Sequence, residues 1–240
     1  MAAIQDNLQA VKARIARAAE AAGRDPASVR LLAVSKTHAA ERIEEAFRAG
    51  QTSFGENYVQ EALEKMDALE RRLGPDGARA LEWHLIGPLQ SNKTRLAAER
   101  FAWVHTIERE RTARRLSEQR PAAAPPLNVL VQVNVSGERS KSGVGPQDAS
   151  ALAHAVARLA RLHLRGLMAI PEPTRDPRIQ RARFRAVREI YERLRAEGLA
   201  FDTLSLGMSD DMEAAIAEGS TLVRIGTALF GLRQPHRDAA

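Results

Sequence analysis

The strongest constraint on this chain is an alternation. Short apolar runs that read as strands recur along it, each followed by an amphipathic helical stretch or a turn into one. The runs are Leu31–Lys36, Thr52–Gly55, Glu82–Gly87, Phe101–Thr106, Asn128–Val135, Leu162–Ile170, Thr203–Leu206 and Thr221–Ile225. Asn128–Val135 (NVLVQVNV) is the most convincing of them, being long, β-branched and apolar. Strand and helix alternating at roughly 20–35 residues argue for a parallel sheet. Eight such units within 240 residues fit a single closed (β/α)8 TIM barrel better than an open doubly wound sheet. No GxGxxG follows the first run, which removes the usual dinucleotide fingerprint. Residues 1–240 are therefore predicted to form one α/β domain. Ile4, Leu8, Val11 and Ile15 share one helical face, so an extra helix over residues 3–22 precedes the first strand.

Composition excludes several classes of function. With no cysteine there is no disulfide, no thiolate nucleophile and no zinc–thiolate site, which suits the cytoplasm. Asp6, Lys12 and Arg14 interrupt the N-terminal stretch, so no signal-peptide run is expected, and no segment approaches a membrane span. A net charge of +6 raises the question of nucleic acid. Yet arginines alternate with acidic residues, as in RIEEAFRAG and RAVREIYERLRAEG. Six Phe, two Trp and two Tyr are too few for a base-stacking platform. A solvated Arg/Glu surface accounts for the charge, and some excess would suit a phosphorylated ligand.

Of the 36 basic residues only Lys12, Lys36, Lys65, Lys93 and Lys141 are lysines. A chain that uses arginine for plain charge but places lysine at the lip of a core strand invites a chemical role. The amine can lose its proton and attack a carbonyl, which a guanidinium does not do. The competing reading of Lys36 is a lysine snorkelling at a strand end.

In a barrel the C-terminal strand ends share one rim. Those ends carry Lys36, Glu56 and Asn57, His84 and Gly87, His105 and Thr106, Asn134 with Lys141 beyond it, Met168, Gly207–Ser209, and Arg224 with Gly226 and Thr227. Gly226 and Thr227 lie between a strand and a helical stretch, where backbone N–H groups and the helix dipole suit an anion. Ser209, at the start of the preceding short helix, can add a hydroxyl. As plain structure, Ser209 is an N-cap and Gly226 a tight turn. A lysine facing a phosphate cradle points to a Schiff base with pyridoxal phosphate. No residues have metal-ligand spacing; His84 and His105 read as hydrogen-bonded rim histidines, and Asp210 and Asp211 as a charged first helical turn.

The segments AVSKTH, FGENYVQE, WHLIGPLQSNK, VQVNVSGERSKSGV, RGLMAIP, LSLGMSDDMEAAI and STLVRIGTALFG together resemble the pyridoxal-phosphate homeostasis protein family. The resemblance runs from about Leu31 to Leu232 in the same order. It implies a barrel like the N-terminal domain of alanine racemase, with Lys36 as the aldimine lysine. It further implies Arg224 at the pyridine nitrogen or the phosphate edge, and Ser209, Gly226 and Thr227 on the phosphate. Asn57 and Met168 would border the ring, and Lys141 would reach the cofactor from its loop.

An arginine at the pyridine nitrogen disfavours the protonated ring, so the cofactor becomes a poor electron sink. Racemisation also needs a second base on the opposite face, which alanine racemase takes from a tyrosine in a further domain of its partner subunit. This chain's length leaves no room for such a domain, and its only tyrosines are Tyr58, at a helix start, and Tyr191, in a helix core. The expected function is therefore binding of pyridoxal 5'-phosphate, and homeostasis and delivery to apo-enzymes, without efficient turnover. A monomer is expected, with no nucleic-acid or membrane partner. The alternatives are a small pyridoxal-phosphate-dependent amino-acid racemase, and a barrel binding another phosphorylated metabolite without covalency.

Overall fold

The computed structural model describes residues 2–135 and 142–231. Eight strands close a parallel barrel in sequence order: β1 (Arg30–Val34), β2 (Ser53–Glu56), β3 (Glu82–Leu85), β4 (Trp103–Ile107), β5 (Leu127–Gln132), β6 (Leu162–Met168), β7 (Thr203–Ser205) and β8 (Leu222–Ile225). The ring closes where Leu32 of β1 lies opposite Arg224 of β8. Every strand foreseen in the sequence is present. Several are shorter than their apolar runs, because the last residues of each run turn away into the loops that build the rim. Lys36 is thus two residues beyond β1, in a turn, and Ile170 lies beyond β6.

Side chains alternate across the strands. One set, including Ala33, Phe54, Val104, Val131, Leu167, Leu204 and Val223, packs with the helices in a single large core. The other set fills the barrel in two separate groups: Leu32, Val34, Ile86 and Leu222, and then Trp103, Leu130 and Met168. Polar side chains occupy the space between them.

The outer ring comprises α2 (Ala40–Arg48), α3 (Val59–Arg79), α4 (Thr94–Arg100), α5 (Glu110–Gln119), α6 (Ala149–Ala157), α7 (Pro177–Ala196), α8 (Met212–Ala217) and α9 (Thr227–Phe230). Gly74 leaves helical geometry (φ 72°, ψ 173°) ahead of Pro75, which kinks α3 there. The extra helix α1 (Ala2–Ala21) buries Ile4, Leu8, Val11, Ile15 and Ala19. It packs along α8 and α9, with Asn7 donating to the Leu229 carbonyl at 3.0 Å and Arg14 paired with Glu213. At six and four residues, α8 and α9 are too short to cover the sheet alone, and α1 supplies the missing apolar face. Among the described residues no helix is long and apolar enough to cross a membrane.

Candidate functional site

The C-terminal ends of β1 and β8 meet at the rim. Val34 precedes Lys36 by two residues, and a Cβ added at Gly226 would lie 3.2 Å from the Val34 carbonyl. The lysine turn and the entrance to α9 are therefore neighbours. Gly226 caps α9, and its carbonyl accepts from the Leu229 and Phe230 amides, both at 2.9 Å. The N–H groups of Gly226, Thr227 and Ala228 make no hydrogen bond among the described residues. Three successive free amides at a helix start form a concavity suited to phosphate oxygens. Ser209 follows β7 in a turn, half-buried, and its hydroxyl also makes no hydrogen bond among the described residues. It is not the N-cap of α8; Asp211 occupies that position and accepts from the Met208 amide at 2.6 Å.

Arg224 lies on β8 inside the barrel and is 3% exposed. Its Nη1 donates to the Ser205 carbonyl (2.6 Å) and Ser205 Oγ (2.7 Å), and its Nη2 to the Ala169 carbonyl (2.9 Å). Burial pulls its pKa down to about 10, with Asp211 acting in the opposite direction. Nε–H and one N–H of Nη2 have no acceptor among the described residues, so the guanidinium can still donate to an acceptor such as a pyridine nitrogen. Amine, amide cradle, free hydroxyl and buried donor together match the chemistry of an aldehyde carrying a phosphate and a ring nitrogen.

The Lys36 turn is built on buried ions. Thr37 has φ 66°, costly for a β-branched residue, and its N–H donates to Glu61 at 2.6 Å. Lys65 of α3 donates to the Ser35 carbonyl (2.8 Å), Glu56 (2.8 Å) and Glu61 (2.6 Å). Ser35 Oγ donates to the same Glu56 oxygen at 2.6 Å. Burial pushes the Glu56 carboxyl up, opposed by Lys65. Glu56 therefore supports the turn from behind and is not a rim residue. Asn57, next in sequence, is half-buried beside Gly87, where an added Cβ would be 2.2 Å from the Asn57 carbonyl. Close approach of the two loops thus requires glycine there.

Met168 ends β6 in the barrel interior with Trp103 and Leu130, adjacent to the Ala169 carbonyl that receives Arg224. Lys141 lies outside the described residues. His84 and His105 correct the expectation from sequence: both are fully buried within the barrel rather than at its rim, and they bond each other at 2.9 Å. Burial lowers both imidazole pKa values, His105 well below the usual range. They are neutral in the folded protein and protonate on unfolding. Below the ordinary imidazole pKa of about 6.5 the unfolded chain binds more protons, so stability falls with falling pH. The free energy of unfolding is expected to decline as pH falls from 7 towards 5, by at most about 1.4 kcal/mol per pH unit for each histidine while its ring stays neutral in the folded protein. Urea titrations across that range check this, and a flat profile would contradict it.

Two residues carry more than the sequence alone suggested. Ser205 anchors Arg224, and nothing in its local pattern marks it. Lys65 could have been found by the argument applied to Lys36, since lysine is rare here, together with its i,i+4 spacing from Glu61.

A closed α/β barrel with an amine, a backbone anion cradle and a buried guanidinium at one end defines the class of the alanine racemase N-terminal domain, whose family model matches residues 7–234. Within it, the chain belongs to the pyridoxal phosphate homeostasis protein family. It is 59% identical over 233 residues to the pyridoxal phosphate homeostasis protein of Pseudomonas aeruginosa, covering 97% of each. To that of Vibrio cholerae it is 54% identical over 239 residues, covering the whole of both. The solved structure of PipY from Synechococcus elongatus with PLP bound matches with a TM-score of 0.81 and 36% identity, over 95% of this chain and 100% of that one. The Pseudomonas and Vibrio relatives are named for homeostasis rather than for a reaction.

Proposed function

We propose that this protein binds pyridoxal 5'-phosphate, attached covalently to Lys36, and contributes to keeping the cofactor available and passing it to apo-enzymes inside the cell. The observation that carries this reading is the adjacency of the Lys36 turn to the three free amides at Gly226–Ala228. When bound, the cofactor supplies an aldehyde that a primary amine can capture with loss of water. Lys36 offers that amine, Ser209 and the α9 amides would hold the phosphate, and Asn57 and Met168 would border the ring. The expectation for Lys141 stands from the resemblance alone.

Arg224, with N–H groups unclaimed among the described residues, would donate to the ring nitrogen, which would leave no place for a proton there and weaken the ring as an electron sink. Tyr58 is exposed at the start of α3, and Tyr191 is buried in α7. Neither supplies a base across the mouth from Lys36, which supports binding over racemisation. A monomer is proposed with it.

The test is direct. The purified protein is expected to be yellow, and borohydride followed by peptide mass mapping should find a pyridoxyl group on Lys36. Colourless protein that binds inorganic phosphate would favour a non-covalent phosphate-metabolite barrel. In deuterated water, L- and D-amino acids should keep their α-protons; rapid exchange would favour the racemase.

A further inference from the structure

A continuous line of polar side chains crosses the barrel interior. Glu82 opens β3 at the N-terminal end of the barrel, away from the Lys36 rim. His84 Nε2 lies 2.8 Å from its carboxylate, His84 Nδ1 lies 2.9 Å from His105 Nε2, and His105 Nδ1 lies 3.2 Å from Ser205 Oγ. Ser205 Oγ in turn accepts from Arg224. His84, His105 and Ser205 are wholly buried.

The proton positions follow from the two ends. The hydrogen bond from His84 holds the Glu82 carboxyl down to about 2, so Glu82 is an acceptor only. A neutral His84 must then donate from Nε2 and accept at Nδ1. His105 consequently donates from Nε2 and accepts at Nδ1, where the Ser205 hydroxyl donates. The Oγ lone pairs are left for Arg224. Every bond from the guanidinium to the carboxylate points the same way, and neither end can reverse it. Aligned hydrogen bonds of this kind polarise one another in a low-dielectric interior.

Resting on the reading of the site above, we propose that Glu82, His84 and His105 are positioning residues for Arg224. Their one-directional chain commits the Ser205 hydroxyl and so fixes the plane in which the guanidinium presents its free N–H groups to the ring nitrogen of bound pyridoxal phosphate. The opposite end of the barrel thereby sets the electronic environment of the cofactor. Glu82 is suited to a test because its side chain is 38% exposed and remote from the mouth.

Glu82→Leu removes the terminal acceptor, whereas Glu82→Gln keeps one in its carboxamide oxygen. In the unmodified apo-protein, ¹⁵N-histidine NMR is expected to find both rings neutral with the proton on Nε2. In Glu82→Leu the tautomers should mix, the visible band of bound pyridoxal phosphate should shift, and affinity should fall about tenfold. Glu82→Gln should match the parent in all three. An Nδ1-protonated or charged ring in the parent would overturn the proposal, and so would a Glu82→Leu protein with scrambled tautomers but an unmoved band and affinity. If Glu82→Leu fails to fold, the parent's tautomers still decide. A parent protein without any visible band would instead overturn the cofactor reading, and the chain would be judged by NMR alone.

Discussion

Lys36→Ala is expected to abolish borohydride-fixed attachment of pyridoxal phosphate while leaving the protein folded. The lysine lies in the turn after β1, half-buried, and the strand's packing belongs to Leu32, Ala33 and Val34, which the substitution does not touch. Its cost in stability should be within about 0.5 kcal/mol, as for other changes away from the core. The amide cradle, Ser209 and Arg224 remain, so the variant should still bind the cofactor weakly and release it on dialysis. Absorbance after dialysis and the intact mass after reduction measure the effect. A retained adduct would move the attachment to another lysine. Lys65 is a poor substitute, since Ser35, Glu56 and Glu61 already occupy its ammonium.

Lys65→Met should unfold the protein far more readily, by about 3–5 kcal/mol, because it leaves Glu56 charged and buried without its cation. Glu56 is fully buried, its Oε1 bonded to Lys65 and Ser35 and its Oε2 without a partner among the described residues. The same change takes one of two donors from the Ser35 carbonyl, which keeps the His38 amide at 3.0 Å, and loosens the grip on Glu61, which holds Thr37 in its strained conformation. Urea unfolding measures the first effect, and the rate of adduct formation on Lys36 the second. Adding Glu56→Leu to Lys65→Met should recover much of the stability, since a buried ion pair replaced by apolar residues is often near neutral. Recovered stability with adduct formation still slow would separate the two roles. A single variant as stable as the parent would show that the pair contributes little.

These two lysines illustrate what could be read before the fold was known. Both stood out as rare lysines in an arginine-rich chain, but only Lys36 sat at the end of a strand-like run. Lys65 sits on a helical stretch, and nothing local says that α3 lays it under the β1 loop. His84 and His105 were placed at the rim by counting along the apolar runs. Both residues lie within their strands, His84 in β3 and His105 in the middle of β4, and pleating turns both rings inward. The plain-structure reading of Ser209 made it the cap of α8; the helix begins three residues later, which leaves the hydroxyl unused among the described residues.

From the order of residues alone came the eight-unit alternation, hence the barrel, and a lysine beside a glycine-bearing strand end, hence the phosphate-and-amine chemistry. Local periodicity and backbone rules are enough for those. Tertiary structure decided which polar groups meet inside the barrel, as with His105 and Ser205, 100 positions apart. A hydrogen bond depends on where strands close in space, and no spacing along the chain encodes that closure.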